Sequence, residues 1–294
     1  SRASQLSRWM VLPGMGLCML ACTLLGGKPQ NPQATEVSRT PSATSSVTIP
    51  ANEATEIWAP YAAPKLTPAT AIPPPVDRLR IPEGAEALAL LGTGEAYPFT
   101  GSTQAVMLVL YHPQNWRAAI ISLPPDLFVY IPGYTMQRLS AAFGAVGPAG
   151  FLDMMTYNFS VTPGAWAVIH LESLEKMVDD LGGLALQPLE ALDPDCPGIT
   201  SRTSQMSGRQ VGCYVSYRFG SDEKSRSLRQ QQVFRAVNER LVGGGNLVRL
   251  AGLYDAYGAD VETNLKLTDL ERAIPLAFEL AAPGRMAFYT FDQD

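Results

Sequence analysis

A series of short apolar runs, each stopped by turn residues, constrains this chain more than any other feature. Ala87-Leu-Ala-Leu-Leu91 breaks off at Gly92-Thr-Gly94, and Ala105-Val-Met-Leu-Val-Leu-Tyr111 ends at His112-Pro113. Trp116 to Leu123 holds the run Ala118-Ala-Ile-Ile-Ser122, continuous enough for a strand buried on both faces. Phe128–Ile131, Ala165–Leu171 and Tyr214–Phe219 read as further strands. Between them, helical spacing covers Arg138–Phe143, Phe151–Phe159, Leu174–Leu181, Ser227–Leu241, Val248–Tyr257 and Thr268–Leu280. Gly182-Gly183 supplies a C-terminal stop for the third of these. Strands interleaved with helices predict an α/β layered domain.

Ahead of that domain the composition changes. Residues 28 to about 80 are rich in Pro, Ser, Thr and Ala, a mixture that buries no core and predicts an extended linker, to which Trp58 and Tyr61 could give one docking point. Residues 1 to 27 hold Ser7-Arg8 followed by an apolar run from Trp9 to Leu25, the pattern of an export signal. Met19-Leu-Ala-Cys22 is similar to a lipobox, which would make Cys22 a lipidation site; an uncleaved signal anchor is the equal alternative. Either places residues 81 to 294 outside the cytoplasm, tied to the membrane through the N-terminus. Cys196 and Cys213 are then compatible with a disulfide in an oxidising compartment, and also with two buried free thiols.

Composition excludes some functions. A net charge of −5 argues against a nucleic-acid partner. With two histidines, His112 and His170, each alone in an apolar setting, neither a Cys/His metal cluster nor a hydrolase triad has support. Gly92-Thr-Gly94 lacks the rest of a dinucleotide fingerprint and reads as a tight turn. Asp179-Asp180 and Asp193-Pro-Asp195 read as a helix end and a solvated loop.

Against that acidic background, Arg218, Lys224, Arg226 and Arg229 gather at a predicted strand-to-helix junction. With Ser225 as N-cap, Arg226 falls in the first turn and Arg229 and Gln230 follow on the same face. A helix start has unpaired N–H groups and a positive dipole end, so arginines there suit a phosphate or pyrophosphate. A solvated charged helix start is the plainer reading of the same residues.

The order of motifs resembles the LytR-CpsA-Psr family of bacterial cell-envelope proteins, of which this chain would be a divergent member. Leu90-Leu-Gly-Thr-Gly94 is similar to the family's opening strand and turn, and Ile121–Gly133 to its Ser-Ile-Pro-Arg-Asp-Leu and Ile-Pro-Gly segments. Val178–Gly183, Met206–Arg218, Ser225–Gln231 and Thr263–Leu270 resemble four later elements in the family's order, so the likeness spans residues 85 to 280. It implies a single α-β-α domain with a central mixed sheet, and a phosphotransferase that moves glycopolymers from a polyprenyl-pyrophosphate carrier to peptidoglycan. It further implies that Arg218, Arg226 and Arg229 hold the pyrophosphate, that Gln230 orients it, and that Asp126 positions an arginine or supports its loop. Magnesium, held by aspartates, is the family's cofactor. Here Glu95 is the nearest substitute for a metal aspartate that would stand at Gly94, and Gly101-Ser-Thr103, Pro125 and Ser216 replace further charged positions. A member that binds polyprenyl-phosphate lipid or wall polymer without transferring it is the alternative.

Overall fold

The computed structural model describes residues 61–77, 80–95, 99, 101–220, 222–243, 250–257 and 261–291. The expected signal or anchor, Cys22 and Trp58 lie outside them. Among the described residues, no helix is long and apolar enough to cross a membrane.

The six-stranded sheet has the order β10-β3-β2-β1-β6-β9. Its strands are β1 (Glu86–Thr93), β2 (Ala105–His112), β3 (Arg117–Ser122), β6 (Ala165–His170), β9 (Val261–Thr263) and β10 (Met286–Thr290). β1 runs antiparallel to β2 and parallel to β6, and β3 runs parallel to β10, so the sheet is mixed. Side chains alternate across it with the strand period of two. Ala87, Ala89, Leu91, Val106 and Leu108 face one core with Phe143, Phe151, Met154 and Met155 of α1 (Ala142–Phe159). Leu88, Leu90, Met107 and Val109 face the other way, toward Phe234 of α4 (Glu223–Gly243) and Leu280 of α6 (Leu267–Leu280). The result is the expected α-β-α layering.

The connecting elements are α2 (Leu171–Asp180), α3 (Gly208–Ser216), α5 (Leu250–Tyr257) and two hairpin pairs, β4 (Phe128–Ile131) with β5 (Thr135–Arg138) and β7 (Leu184–Ala185) with β8 (Gln205–Met206). The helix expected from Arg138 is instead the end of β5, a 3-10 turn at Leu139–Ala141 and then α1. Inside α1 the axis breaks at Gly147, φ 68°, followed by Pro148, which has no N–H to donate and begins the second segment as a first-turn residue.

Two expectations need correction. Tyr214–Phe219 is not a strand: Tyr214, Val215 and Ser216 are the last turn of α3. A capping box between Ser207 and Gln210 starts that helix. Gly208 and Gly212 then let it approach α2 so closely that a Cβ at either would lie 1.9 Å from an oxygen of Glu175. Tertiary packing overrides the alternating aromatic pattern. The linker expected through residue 80 also ends earlier. Ile72 is buried beside Tyr130 and Tyr157, whose hydroxyls donate to the carbonyls of Ala62 and Pro73 at 2.7 Å, so residues 61–77 pack as part of the domain.

Candidate functional site

The α4 start is built differently from the expected Ser225 cap. The Asp222 carboxylate accepts from the Ser225 amide at 2.7 Å, and the helix begins at Glu223. That amide bond is the largest influence holding the Asp222 carboxyl below its ordinary range. With Asp222 and Glu223 already at this helix end, the feature open to an anion is a side chain one turn further on.

That side chain is Arg226. It is 1% exposed, and both Nε, at 2.9 Å, and Nη2 donate to Glu223. Its Nη1 is buried and has no hydrogen-bond partner among the described residues. Burial is the largest influence on it and holds its pKa below the ordinary arginine value. The Glu223 hydrogen bond and charge oppose that, the Arg218 charge adds to it, and Asp126 opposes it. A buried cation with one donor unspent, next to a second arginine, is short of negative charge.

Arg229 is differently placed. It is 0% exposed, with Nε donating to the Tyr214 carbonyl at 2.9 Å, Nη2 to the Tyr217 carbonyl at 2.6 Å and Nη1 to Glu190 at 2.5 Å. These bonds occupy the end of α3, where the last carbonyls of a helix lack partners. Its fork therefore shapes the site's floor. Arg218 is exposed in the turn after α3. Asp126 pairs with Arg138 at 3.4 Å in an open setting. Glu95 is exposed, and its Oε1 accepts from the Ser102 amide at 3.4 Å. Among the described residues no group of three His, Cys, Asp or Glu side chains gathers as a metal ion's ligands would.

Gln230 donates to the Val215 carbonyl at 3.2 Å and lines a cavity of about 170 Å³. The cavity lies between β1, β2 and β6 and the helices α2, α3 and α4. Leu90, Met107, Leu174, Met177, Val233 and Phe234 make most of its wall apolar, while Thr93, Gln104, His170, Ser216 and Gln230 add polar groups. Sequence reasoning missed this cavity and His170's place in it, since both arise from strands and helices far apart in the chain. It also missed Glu190, Gln231 and Gln232. The Gln231 amide donates to Ser122 Oγ at 2.9 Å and to the Tyr289 carbonyl at 2.8 Å, tying α4 to the sheet. The triple-glutamine run was the available signal, but nothing in it shows the partners.

The segment between β7 and β8 is fastened at several points. Cys196 and Cys213 are disulfide-bonded, Tyr217 donates to Asp195 at 2.7 Å, and the Leu189 amide donates to the Tyr214 hydroxyl at 2.8 Å.

These features together define a layered α/β domain with a largely apolar cavity beside an arginine-bearing helix start. The chain belongs to the LytR_cpsA_psr family, which it matches over residues 78–283. It is 25% identical to regulatory protein MsrR of Staphylococcus aureus over 191 residues, which is 62% of this chain and 57% of that protein. It is 21% identical over 204 residues to a polyisoprenyl-teichoic acid–peptidoglycan teichoic acid transferase, TagU of Oceanobacillus iheyensis, covering 67% of this chain and 64% of that one. The chain thus spans less than two thirds of the length of these relatives. Among solved structures, Bacillus subtilis TagV superposes with a TM-score of 0.62 at 15% identity, covering 73% of this chain and 87% of that one. TagT bound to LI-WTA gives 0.57 at 17% identity, covering 73% and 82%.

Proposed function

We propose that this chain is an extracytoplasmic protein that binds a polyprenyl-pyrophosphate-linked glycopolymer and transfers the glycopolymer to peptidoglycan. The unpartnered Nη1 of Arg226, on the turn of α4 that precedes the cavity-lining Gln230, carries the reading. An apolar cavity suits a prenyl chain, and a cation lacking a partner suits the phosphate that follows it. The relatives' names support the substrate class. TagU is named for moving teichoic acid from a polyisoprenyl carrier to peptidoglycan, and TagT is described bound to LI-WTA.

In the transfer, a hydroxyl oxygen of peptidoglycan attacks the phosphorus bearing the glycan. The bond from that phosphorus to the bridging oxygen breaks, polyprenyl phosphate leaves, and the hydroxyl proton passes to solvent or to the leaving phosphate. Arg226 and Arg218 stabilise the negative charge on the oxygens of the phosphoryl group being transferred. Arg229 acts through position, by fixing the end of α3. In this reading the charge is met by arginine.

A carrier that binds without transfer is the second reading. It is favoured by the absence of a metal-ligand cluster among the described residues. Incubating the chain with a polyprenyl-pyrophosphate glycan and peptidoglycan, with and without magnesium, separates the two. Glycan appearing on peptidoglycan, and disappearing with Arg226→Ala, is the expected result. Binding without turnover under both conditions establishes the carrier, and no binding at all overturns both.

A further inference from the structure

β1 and β6 run parallel in register, with Thr93 opposite His170 at their C-terminal ends, and both residues line the cavity. In α/β sheets, the carboxyl ends of parallel strands are where ligands meet the helices that follow. The helix that follows β6 is α2, ten residues long, and it starts here. His170 occupies its N-cap position with extended dihedrals, φ −77° and ψ 145°, yet its side chain makes no capping bond. The first amides of α2 thus lack the side-chain acceptor a Ser or Asp would give. Glu172, the acidic residue in the first turn, is exposed.

The second observation is His170 itself. It is 6% exposed, and its Nε2 is buried with no hydrogen-bond partner among the described residues. Two polar neighbours on this wall are committed elsewhere: Ser216 donates to the Gly212 carbonyl at 2.7 Å and Gln230 to the Val215 carbonyl at 3.2 Å. An imidazole nitrogen without a partner, beside a helix start that lacks a side-chain cap, in a largely apolar wall, is chemistry for one anionic oxygen.

We propose that His170 and the start of α2 form an anion subsite for the carrier phosphate directly attached to the prenyl chain, distinct from the Arg226 position. This rests on the reading that the cavity takes the prenyl chain. It assigns the two phosphates of the carrier different partners. The inner one, which stays on the lipid after transfer, is held by His170 and the α2 amides; the outer one, which leaves with the glycan, is met by Arg226. The monophosphate product therefore keeps its His170 contact and loses the Arg226 one.

Calorimetric titration of the full chain with geranyl pyrophosphate, geranyl phosphate and geraniol tests this. His170→Phe is expected to weaken both phosphates by about tenfold, the loss of one charge-assisted hydrogen bond, and to leave geraniol unchanged. Arg226→Met is expected to weaken the pyrophosphate more than the monophosphate. Equal weakening of all three probes by His170→Phe is a cavity effect and overturns the subsite, as does no change in any. If Arg226-dependent pyrophosphate binding persists while His170→Phe is silent, the subsite falls and the functional reading stands. If the wild type binds none of the probes, both fall.

A second measurement is independent of whether His170→Phe folds. His112 and His170 are the two histidines of the chain. In His112→Gln protein the single remaining imidazole is expected to shift its NMR signal with geranyl phosphate and to stay put with geraniol. A signal unmoved by the phosphate overturns the subsite.

Discussion

Arg229 Nε donates to the carbonyl oxygen of Tyr214 at 2.9 Å, while its guanidinium carbon lies 5.8 Å from the centroid of that same tyrosine's ring. One side chain thus caps the end of α3 and covers the aromatic face beneath it. Arg226, three residues earlier on the same helix, keeps a donor unspent. The two buried arginines divide the work, one holding the scaffold and the other awaiting a ligand.

Arg229→Met is expected to lower stability by about 3 kcal/mol, because two main-chain carbonyls lose their donors inside the protein. Arg229→Lys recovers little of this, since one ammonium cannot match a planar fork that serves Tyr214, Tyr217 and Glu190. Urea unfolding monitored by circular dichroism gives the number. A loss below about 0.5 kcal/mol, the ordinary surface range, means that Arg229 does not hold this corner.

Arg226 carries the opposite expectation. Replacing an under-partnered buried cation by an apolar side chain of similar length removes a desolvation cost. Arg226→Met is therefore expected to match or exceed the wild type in stability while binding geranyl pyrophosphate about tenfold or more weakly. The same unfolding experiment and a calorimetric titration decide it. Lost stability with intact binding reverses the assignment of the two arginines.

How much of this was legible depends on how local each cause is. The runs Ala87–Leu91, Ala105–Tyr111 and Ala165–Leu171 are strands as their apolar pattern predicts, within a residue or two at their ends. Tyr214–Phe219 has the same alternation, yet it folds as a helix end because Gly208 and Gly212 dock α3 on α2, a fact of three-dimensional packing. The short edge strands Val261–Thr263 and Met286–Thr290 took no shape in the sequence reading, since their pairing is supplied by β6 and β3. At the site, the sequence placed Arg226 and Arg229 together but not their differing roles. Arg229's carboxylate partner, Glu190, stands 39 residues away. His170, apparently isolated, gains meaning only from a cavity wall assembled by five other elements.

Gln231 offers a test of how α4 is tied to the sheet. It is 4% exposed and spans from Ser122 Oγ to the Tyr289 carbonyl, so it links the ends of β3 and β10 to the helix that carries Arg226. Gln231→Leu leaves both acceptors short of a donor and is expected to cost about 1–2 kcal/mol. Hydrogen exchange should quicken in Met286–Thr290, the outermost strand on that side of the sheet, before it quickens in β1. Uniform quickening across the sheet would show a global loss of stability with no specific tie to β10.

Glu175 sets the pH response of the α2–α3 contact. Its carboxyl is pushed above the ordinary glutamate range, first by desolvation and then by the charge of Glu172, with Arg209 opposing and Asp179 adding. Gly208 and Gly212 bring α3 directly against it. A carboxyl whose folded pKa is raised binds its proton more tightly in the native state. Its stabilising contribution is complete below the unfolded value, about 4.3 for glutamate, and is lost as pH rises through the raised folded value. Glu175→Gln has no such proton to lose. The variant and the wild type should therefore differ least below pH about 4, and the variant should gain steadily on the wild type through the window just above. Beyond the raised value the gap should hold constant. Unfolding free energies measured from acidic to neutral pH give both curves. A wild type that gains on the variant with rising pH would mean that Glu175 is stabilised as the anion, and that Arg209 outweighs the burial of its carboxylate.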